Sequence, residues 1–367
     1  MIRRILAVTV KELLQLKRDW RTSLALLGMP MVLLLIYGYA LSFDVQDIRL
    51  AIVDQSHTRA SRDVAQAFLE SGYFQRVATL DETRPLDALF DSGEAQAALV
   101  IPAAFGADVK GRQPTHVQFV LDGSDSQTAS TILGYARQII TSKTAGLYEL
   151  EVKPPLSATP LVWYNPDLKS SIFLVPGLIA FILMVTSVIA TALAVVREKE
   201  RGTMESLRAT PLVAIELLIG KTLPYLLVAS ASAAGSLFLG WALFGVPVHG
   251  SIFWLAVLTV LFLAGGLGWG MFLSTLAETQ QVAFQMGLLS SMLPTLLLSG
   301  FIFPISSMPK ALQVVTHIVP ARYFIAALRE VVLKGVGPEV WWSDAAALIA
   351  YGTIVLLAAT ARTIRSL

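Results

Sequence analysis

Hydrophobic residues in this chain come in long blocks that are separated by shorter polar segments. A helix needs about 20 predominantly apolar residues to cross a bilayer, and six blocks are of about that length. The pattern therefore predicts a polytopic membrane protein with six transmembrane helices. The predicted spans are Thr22–Phe43, Ile172–Val196, Thr222–Phe244, Ser251–Thr275, Val282–Phe303 and Asp344–Ala361, with three of them inside 213–303 and a short tail within 344–367.

Residues 1–21 mix basic and aliphatic side chains before the first span. Six aliphatic residues fall near one face of a helix, and the basic residues allow a second, solvent-exposed face. The aliphatic residues are Ile2, Leu6, Val10, Leu13, Leu14 and Leu16, and the basic ones are Arg3, Arg4, Lys11, Lys17 and Arg18. This pattern favours an amphipathic helix at a membrane surface, and the alternative is a solvated leader. The apolar block 22–43 is longer than a typical signal-peptide core, which favours a retained span.

Residues 44–171 have ordinary globular patterning, in which strand-like runs alternate with polar helices. This alternation predicts a compact α/β domain inserted between spans one and two. The predicted strands are "IRLAIVD", "FQRVATL", "AQAALVIP" and "THVQFVLDG", and the predicted helices are Thr58–Ser71, Pro85–Ser92 and Ser124–Glu151.

Residues 304–343 are apolar, but Pro304, Pro309 and Pro320 interrupt them. A proline inside a helix removes a hydrogen bond and clashes with the preceding turn, so one continuous crossing is not expected. We predict a re-entrant hairpin of one or two short helices, with Trp341 and Trp342 at the membrane interface before the last span.

Charge placement predicts the orientation. The 367 residues are 55% hydrophobic and only 15% charged, against about 25% charged in soluble proteins. Lysine and arginine in short loops favour the cytoplasmic side. Six spans place thirteen of these residues on the side of both termini and four on the other side. We therefore expect cytoplasmic termini and an α/β domain outside, which in a bacterium means an inner-membrane protein with a periplasmic domain.

Several kinds of chemistry are disfavoured by the sequence. The "IGKT" at Ile219–Thr222 lacks the first glycine of a phosphate loop, whose position is occupied by Ile215. No metal-ligand spacing, hydrolase triad or nucleic-acid motif is evident, and the chain has no cysteine. The predicted spans carry essentially no ionisable residue away from their ends, whereas proton- or ion-coupled transporters usually need such groups. Energy for transport would have to come from another subunit.

Small and hydroxyl-bearing residues are concentrated in the fourth and fifth spans. Gly266-x-x-x-Gly270 permits close helix approach, either within the chain or at a dimer face or moving seam. The fifth span contains Pro294 and the polar residues of a candidate translocation path. The alternative is that the hydroxyls bond to their own backbone. The path residues are Gln285, Ser290, Ser291, Thr295 and Ser299.

The most charged segment, "REKERGTMESLRATP", directly follows the second span. Its charges are spaced three or four apart, as in Glu198, Arg201, Glu205 and Arg208, which supports a short helix with a weak point at Gly202. A loop that only fixes topology would need basic residues alone. The equal share of glutamate favours docking to a protein partner.

Two stretches resemble the type-2 ABC exporter permeases, the membrane subunits of ATP-binding-cassette exporters. The first is Arg197-Glu-Lys-Glu-Arg-Gly-Thr-Met-Glu followed by Thr210-Pro211. The second is the external hairpin, Phe303–Gly335. The positions that carry the second resemblance are Pro304, Met308-Pro309, Pro320, Tyr323-Phe324, Arg329 and Gly335.

The resemblance implies that segment 197–212 is a coupling helix that sits in a groove of a separate cytoplasmic ATPase. It also implies a second permease subunit, identical or homologous, and in some relatives a periplasmic membrane-fusion adaptor. This chain would bind no cofactor, since the ATPase would use the ATP and magnesium. The implied coupling residues are Arg197, Glu198, Glu200, Arg201, Gly202, Thr203, Met204, Glu205, Arg208 and Pro211.

The sequence thus predicts the permease subunit of an exporter for a hydrophobic or amphipathic substrate such as a drug or a lipid. The alternative is a membrane sensor or envelope-assembly protein whose external domain binds a ligand or partner. Co-purification with an ATPase would distinguish the two.

Overall fold

The computed structural model describes residues 1–40, 47–124, 126–147, 164–165, 169–202 and 213–366. The chain separates into two compact units. The α/β unit is Phe43–Leu161, and the helical unit combines Met1–Ser42 with Val162–Leu367. The α/β unit thus occupies the stretch of sequence between the first and second long helices.

Two helices open the helical unit: α1 (Ile2–Arg18) and α2 (Trp20–Ala40). Asp19 lies between them, and its carboxylate accepts hydrogen bonds from the backbone N–H of Thr22 at 3.3 Å and from the Thr22 hydroxyl at 2.7 Å. An acidic side chain that accepts from the first turn is a favourable helix start. The change from the amphipathic segment to the apolar span therefore occurs at Asp19.

The α/β unit contains one four-stranded sheet in the order β2-β1-β3-β4. β1 is parallel to β2 and β3, whereas β3 and β4 are antiparallel. The strands and the helices predicted from the sequence are found within a few residues of their expected bounds, and the short helix α5 is additional. The elements are β1 (Ile48–Asp54), α3 (Arg59–Glu70), β2 (Phe74–Leu80), α4 (Leu86–Asp91), β3 (Ala97–Ile101), α5 (Phe105–Lys110), β4 (Gln118–Leu121) and α6 (Ser126–Leu147).

Both faces of the central strand β1 are covered. Successive strand residues point to opposite faces, so Leu50 packs with Phe68 of α3 and Ile132 of α6, whereas Val53 packs with Leu86 of α4. This double coverage explains why "IRLAIVD" is an almost continuous apolar run, as expected for a buried parallel strand.

Within the described residues, six helices are long and apolar enough to cross a membrane, which confirms the predicted number of candidate spans. The third begins eight residues before the predicted Thr222, because the Glu216 carboxylate accepts from the Val213 N–H at 3.2 Å and caps the helix there. After α2, the other five are α7 (Ser170–Glu200), α8 (Ala214–Phe244), α9 (Ile252–Leu276), α10 (Gln280–Leu298) and α13 (Pro338–Ser366).

α7 and α9 pack closely through the two glycines of the predicted small-residue motif. A Cβ at Gly266 would collide with the Ser187 hydroxyl, and one at Gly270 would collide with the Thr191 hydroxyl and the Val188 carbonyl. The resulting proximity lets Thr191 donate a 2.8 Å hydrogen bond to the Leu267 carbonyl. The motif therefore serves packing within the chain, the first of the two alternatives above.

Residues 304–335 form the predicted run of short helices. The main break lies near Pro320, where two helical segments meet at an angle of 90°. Gly335 ends the run with φ of 68°, a conformation that suits glycine. The segments are 3₁₀ turns at Ile305–Ser307 and Thr316–Ile318, α11 (Lys310–Val315), α12 (Pro320–Arg329) and a π-helical turn at Glu330–Lys334.

Candidate functional site

Four consecutive charged residues end α7: Arg197, Glu198, Lys199 and Glu200. Successive side chains of an α-helix are rotated by about 100°, so these four point in four directions. Each of them contacts a different part of the surrounding helices, as described below. We call these four residues the α7 hub.

Glu198 lies in a buried ion-pair cluster with Lys11 and Glu12 of α1 and Lys221 of α8. Its carboxylate contacts the Lys11 amine at 2.5 Å and the Lys221 amine through its second oxygen. Glu12 contacts Lys11 at 2.9 Å and Lys221 at 3.1 Å. Glu12, Glu198 and Lys221 are only 3–4% exposed. Two acids and two bases thus balance within the cluster, as buried charges require.

Lys11 lies outside the membrane-spanning helices, and its environment favours the charged amine. Burial opposes the charge, but hydrogen bonds to Glu198 and Glu12 outweigh this and raise the Lys11 pKa. Lys11 therefore joins the cluster as a charged amine, and the cluster connects α1, the end of α7 and the start of α8.

Gly220 and Lys221 explain the "IGKT" stretch structurally. A Cβ at Gly220 would lie 2.7 Å from the Val8 Cβ, so glycine lets α1 approach α8. Thr9 donates to the Gly220 carbonyl at 3.2 Å. The neighbouring Lys221 amine contacts the carboxylates of Glu12 and Glu198.

Lys199 and Glu200 contact the ends of two other helices. The Lys199 amine donates to the Ser274 carbonyl and, at 3.3 Å, to the Ala277 carbonyl at the C-terminus of α9. The Glu200 carboxylate accepts from the Gln280 N–H at 2.7 Å at the N-terminus of α10. A cation at a helix C-terminus and an anion at an N-terminus are both favoured by the helix dipole.

Arg197 completes the α7 hub by contacting Asp19 at 3.2 Å, next to the start of α2. Hydrogen bonds from Thr22 and Arg197 lower the Asp19 pKa below its usual range. Together the four hub residues contact or adjoin the ends of α1, α2, α8, α9 and α10.

The predicted coupling helix stays a prediction, but its predicted start at Arg197 is not found, because α7 continues without a break through Glu200. Its charges are satisfied by neighbouring helices, so the helix runs on to Gly202, whose φ is 70°. Arg201 and Gly202 are exposed. The other predicted coupling residues, Thr203, Met204, Glu205, Arg208 and Pro211, lie outside the described residues.

The candidate path residues of α10 lie in different environments. Gln285 is exposed, and Ser290 accepts a 3.0 Å hydrogen bond from the Trp269 indole. The other three are buried. Ser291 donates to the Gly287 carbonyl at 2.6 Å and Ser299 donates to the Thr295 carbonyl. These bonds match the alternative in which hydroxyls are satisfied within their own helix.

The hairpin residue Arg329 is held against two long helices. Its guanidinium donates to the Phe173 carbonyl of α7 at 3.0 Å and to the Gly300 carbonyl after α10 at 3.2 Å, and it lies 3.9 Å from the centre of the Phe173 ring. This contact fixes the end of α12 to the ends of α7 and α10.

The other hairpin residues shape the backbone. Pro320 occupies the first turn of α12, where proline is tolerated. The Tyr323 hydroxyl donates to the His317 carbonyl at 3.0 Å. Pro304 and Pro309 precede the first 3₁₀ turn and α11, and the Cβ-free Gly335 packs against His249.

Sequence reasoning missed Lys11, Glu12, Asp19, Lys221 and Gln280, the partners of the α7 hub. One signal was present, since Glu12 shares a helical face with Val8 and Leu16, both of which are buried. An acidic residue on a face that packs against protein indicates a buried partner.

Comparison with known proteins agrees with this architecture. A family model described as "ABC-2 family transporter protein" matches residues 20–361. The chain is 34% identical over 343 residues to the probable multidrug ABC transporter permease YbhS of Escherichia coli (strain K12), covering 92% of this chain and 90% of that protein.

Two further relatives come from the same strain. The probable multidrug ABC transporter permease YbhR is 31% identical over 347 residues, or 94% of each chain. The inner membrane transport permease YhhJ is 30% identical over 324 residues, or 84% of each chain. With its six apolar helices, the chain therefore belongs to the ABC-2 family of transporter proteins, as a membrane-spanning permease subunit.

Proposed function

We propose that this chain is the permease subunit of an exporter that is driven by ATP hydrolysis on a separate cytoplasmic ATPase. The observation that carries the proposal is the α7 hub, which links the ends of α1, α2, α8, α9 and α10 and immediately precedes residues 201–212 in the sequence. A partner that pushes on this segment would act on these helices together.

The charge distribution supports the orientation of the proposal. Thirteen of the lysines and arginines in short connections lie on the side of the α7 hub, which favours the cytoplasm. We therefore place both termini and segment 197–212 in the cytoplasm and the α/β unit in the periplasm of a bacterial inner membrane. A periplasmic adaptor and a second permease subunit are the partners that this arrangement suits.

The surface between α10 and the hairpin supports a proposal for the substrate class. A groove of about 550 Å³ there is lined almost entirely by apolar side chains, and a volume of this order is that of a small-molecule pocket. Such a surface suits a hydrophobic or amphipathic substrate, such as a drug or a lipid, and two relatives are named as probable multidrug permeases. The lining includes Leu293, Pro294, Leu297, Phe303, Met308 and Pro309.

The test reverses two charges of the proposed docking segment, Arg201→Glu and Glu205→Arg, in the permease co-expressed with its ATPase. Export and substrate-stimulated ATP hydrolysis should both fall, while membrane insertion is unchanged. Lys310→Glu, a charge reversal at an exposed residue of the hairpin, is the control and should leave both activities intact. Unchanged stimulated hydrolysis in the double variant would count against the proposal, and a chain that binds no ATPase at all would support a sensor or assembly role.

A further inference from the structure

Helix α1 has one face committed to the protein. Val8, Glu12 and Leu16 are buried against α8 and the end of α7, and Thr9 bonds to the Gly220 carbonyl. This contact fixes which side of α1 faces away from the rest of the helical unit.

The opposite half of α1 carries a row of exposed apolar side chains. Leu6, Val10 and Leu14 are each more than half exposed, and Leu13 is 38% exposed. Four aliphatic side chains along one side of a single helix form the kind of face that inserts at the boundary between lipid headgroups and acyl chains. The helix is therefore positioned to lie along the membrane surface with this side in the lipid.

Basic residues accompany the apolar side. Arg3, Lys17 and Arg18 are exposed, and at about 100° per residue they project from the same outer half of α1. Among the described residues, none of these three has an acidic group within 4.0 Å, in contrast to Lys11, which belongs to the buried cluster. Three unneutralised cations thus lie at the rim of an apolar face.

We propose that α1 is a binding surface for the headgroups of anionic phospholipids, through Arg3, Lys17 and Arg18. Charge complementarity decides the occupant, because a zwitterionic headgroup offers no net charge to three unpaired cations. The adjacent apolar side favours lipid, since a phospholipid offers an anionic headgroup beside acyl chains in the same arrangement as the basic and aliphatic side chains of α1.

The proposed lipid-binding surface lies on the same helix as two residues that contact the α7 hub or its partner Lys221. Lys11 and Glu12, on the same helix, contact Glu198 and Lys221. Lipid that holds α1 at the membrane surface therefore also holds the ion-pair cluster in place. This effect does not depend on which substrate is carried.

The test uses the full-length chain reconstituted into phosphatidylcholine vesicles with a trace of spin-labelled phosphatidylglycerol or spin-labelled phosphatidylcholine. The wild-type chain should immobilise the phosphatidylglycerol probe several-fold more strongly. This preference should vanish when the ionic strength rises from about 0.01 M to about 1 M, where the Debye length falls from about 30 Å to about 3 Å. Equal immobilisation of the two probes by the wild-type chain at low salt would overturn the proposal.

Variants of the basic residues test whether α1 causes the preference for phosphatidylglycerol. The triple variant R3Q/K17Q/R18Q should lose most of this several-fold preference, since the phosphatidylglycerol headgroup would then meet none of the three unpaired cations. The matched control R59Q/R76Q/K110Q removes two arginines and one lysine that are exposed in the α/β unit, and should keep the preference. R3K/R18K should also keep it, which separates charge from loss of folding.

Two outcomes would overturn the assignment to α1. One is a triple variant that keeps the phosphatidylglycerol preference. The other is a triple variant that loses its ATPase partner on purification while the wild-type chain shows no lipid preference, because the basic residues would then bind protein.

Discussion

Replacing Lys221 with methionine tests whether the buried cluster holds the α7 hub together. The substitution keeps an unbranched side chain, one heavy atom shorter, and removes its charge. Glu12 and Glu198 would then share one base, Lys11, whose side chain is 45% exposed. Removing one partner of a buried ion pair typically costs about 3–5 kcal/mol, because the remaining charge is left uncompensated.

The cost should appear as a lower free energy of unfolding for Lys221→Met, measured by equilibrium denaturation in detergent micelles. Lys310→Met, at an exposed position, is the matched control, and its change should stay within about 0.5 kcal/mol. A second substitution should then rescue the first. In Lys221→Met/Glu12→Gln, Lys11 and Glu198 again balance one to one, so part of the loss should be recovered.

The two effects on the free energy of unfolding, from the substitutions at Lys221 and Glu12, should not simply add. Residues in one ion-pair network are expected to couple by about 0.5–3 kcal/mol. If the two substitutions at Lys221 and Glu12 simply add, or if Lys221→Met is as stable as Lys310→Met, the cluster does not hold these helices and our account of the α7 hub fails.

Three further predictions concern other contacts. Gly270→Ala should lower the free energy of unfolding by about 1–3 kcal/mol through overpacking against α7. Gly28→Ala is the control, because a Cβ there meets open space, and it should be neutral or stabilising in the same denaturation assay. Equal effects of the two substitutions would contradict the packing argument. Arg329→Gln should cost about 1.5–3 kcal/mol by losing charged hydrogen bonds to two carbonyls, and a loss no greater than that of the exposed Arg84→Gln would refute this. Because the Asp19 pKa is lower in the folded chain than in the unfolded chain, the ionised carboxylate stabilises the fold at pH values above the unfolded pKa of about 4. This stabilisation is lost as the pH falls through the folded pKa. The free energy of unfolding of Asp19→Asn should therefore depend less on pH in that acidic range than that of the wild-type chain.

The elements that sequence predicts well are those with a local pattern. "FQRVATL" and Phe74–Leu80 coincide as the edge strand β2, and the apolar blocks give the long helices. The bounds fail where a polar contact extends a helix beyond its apolar block. α8 starts early because Glu216 caps it, and α7 runs through Glu200 because distant groups satisfy its charges.

For the candidate coupling site, the sequence indicates a position in the chain but not the contacts that its residues make. The charged segment after span two stands out in the sequence, but the partners of its first four residues are far away in the chain. Glu198 and Lys11 are 187 residues apart, and Lys199 and Ser274 are 75 apart. Pairing of mixed charges three or four apart is equally compatible with a free surface helix, so spacing alone could not reveal the inward contacts.

The hub contacts constrain how a push on segment 201–212 can be transmitted. Moving α7 alone would separate Glu198 from the Lys11 amine and the buried Lys221 amine, and would remove Lys199 and Glu200 from the ends of α9 and α10. Each of these is a charge-assisted contact, and breaking the buried pair alone costs several kcal/mol. Shifting the contacted helix ends together breaks none of them. The lower-energy motion is therefore a collective one, in which α1 moves with α7 and α8, and in which a lipid that holds α1 would resist the same movement.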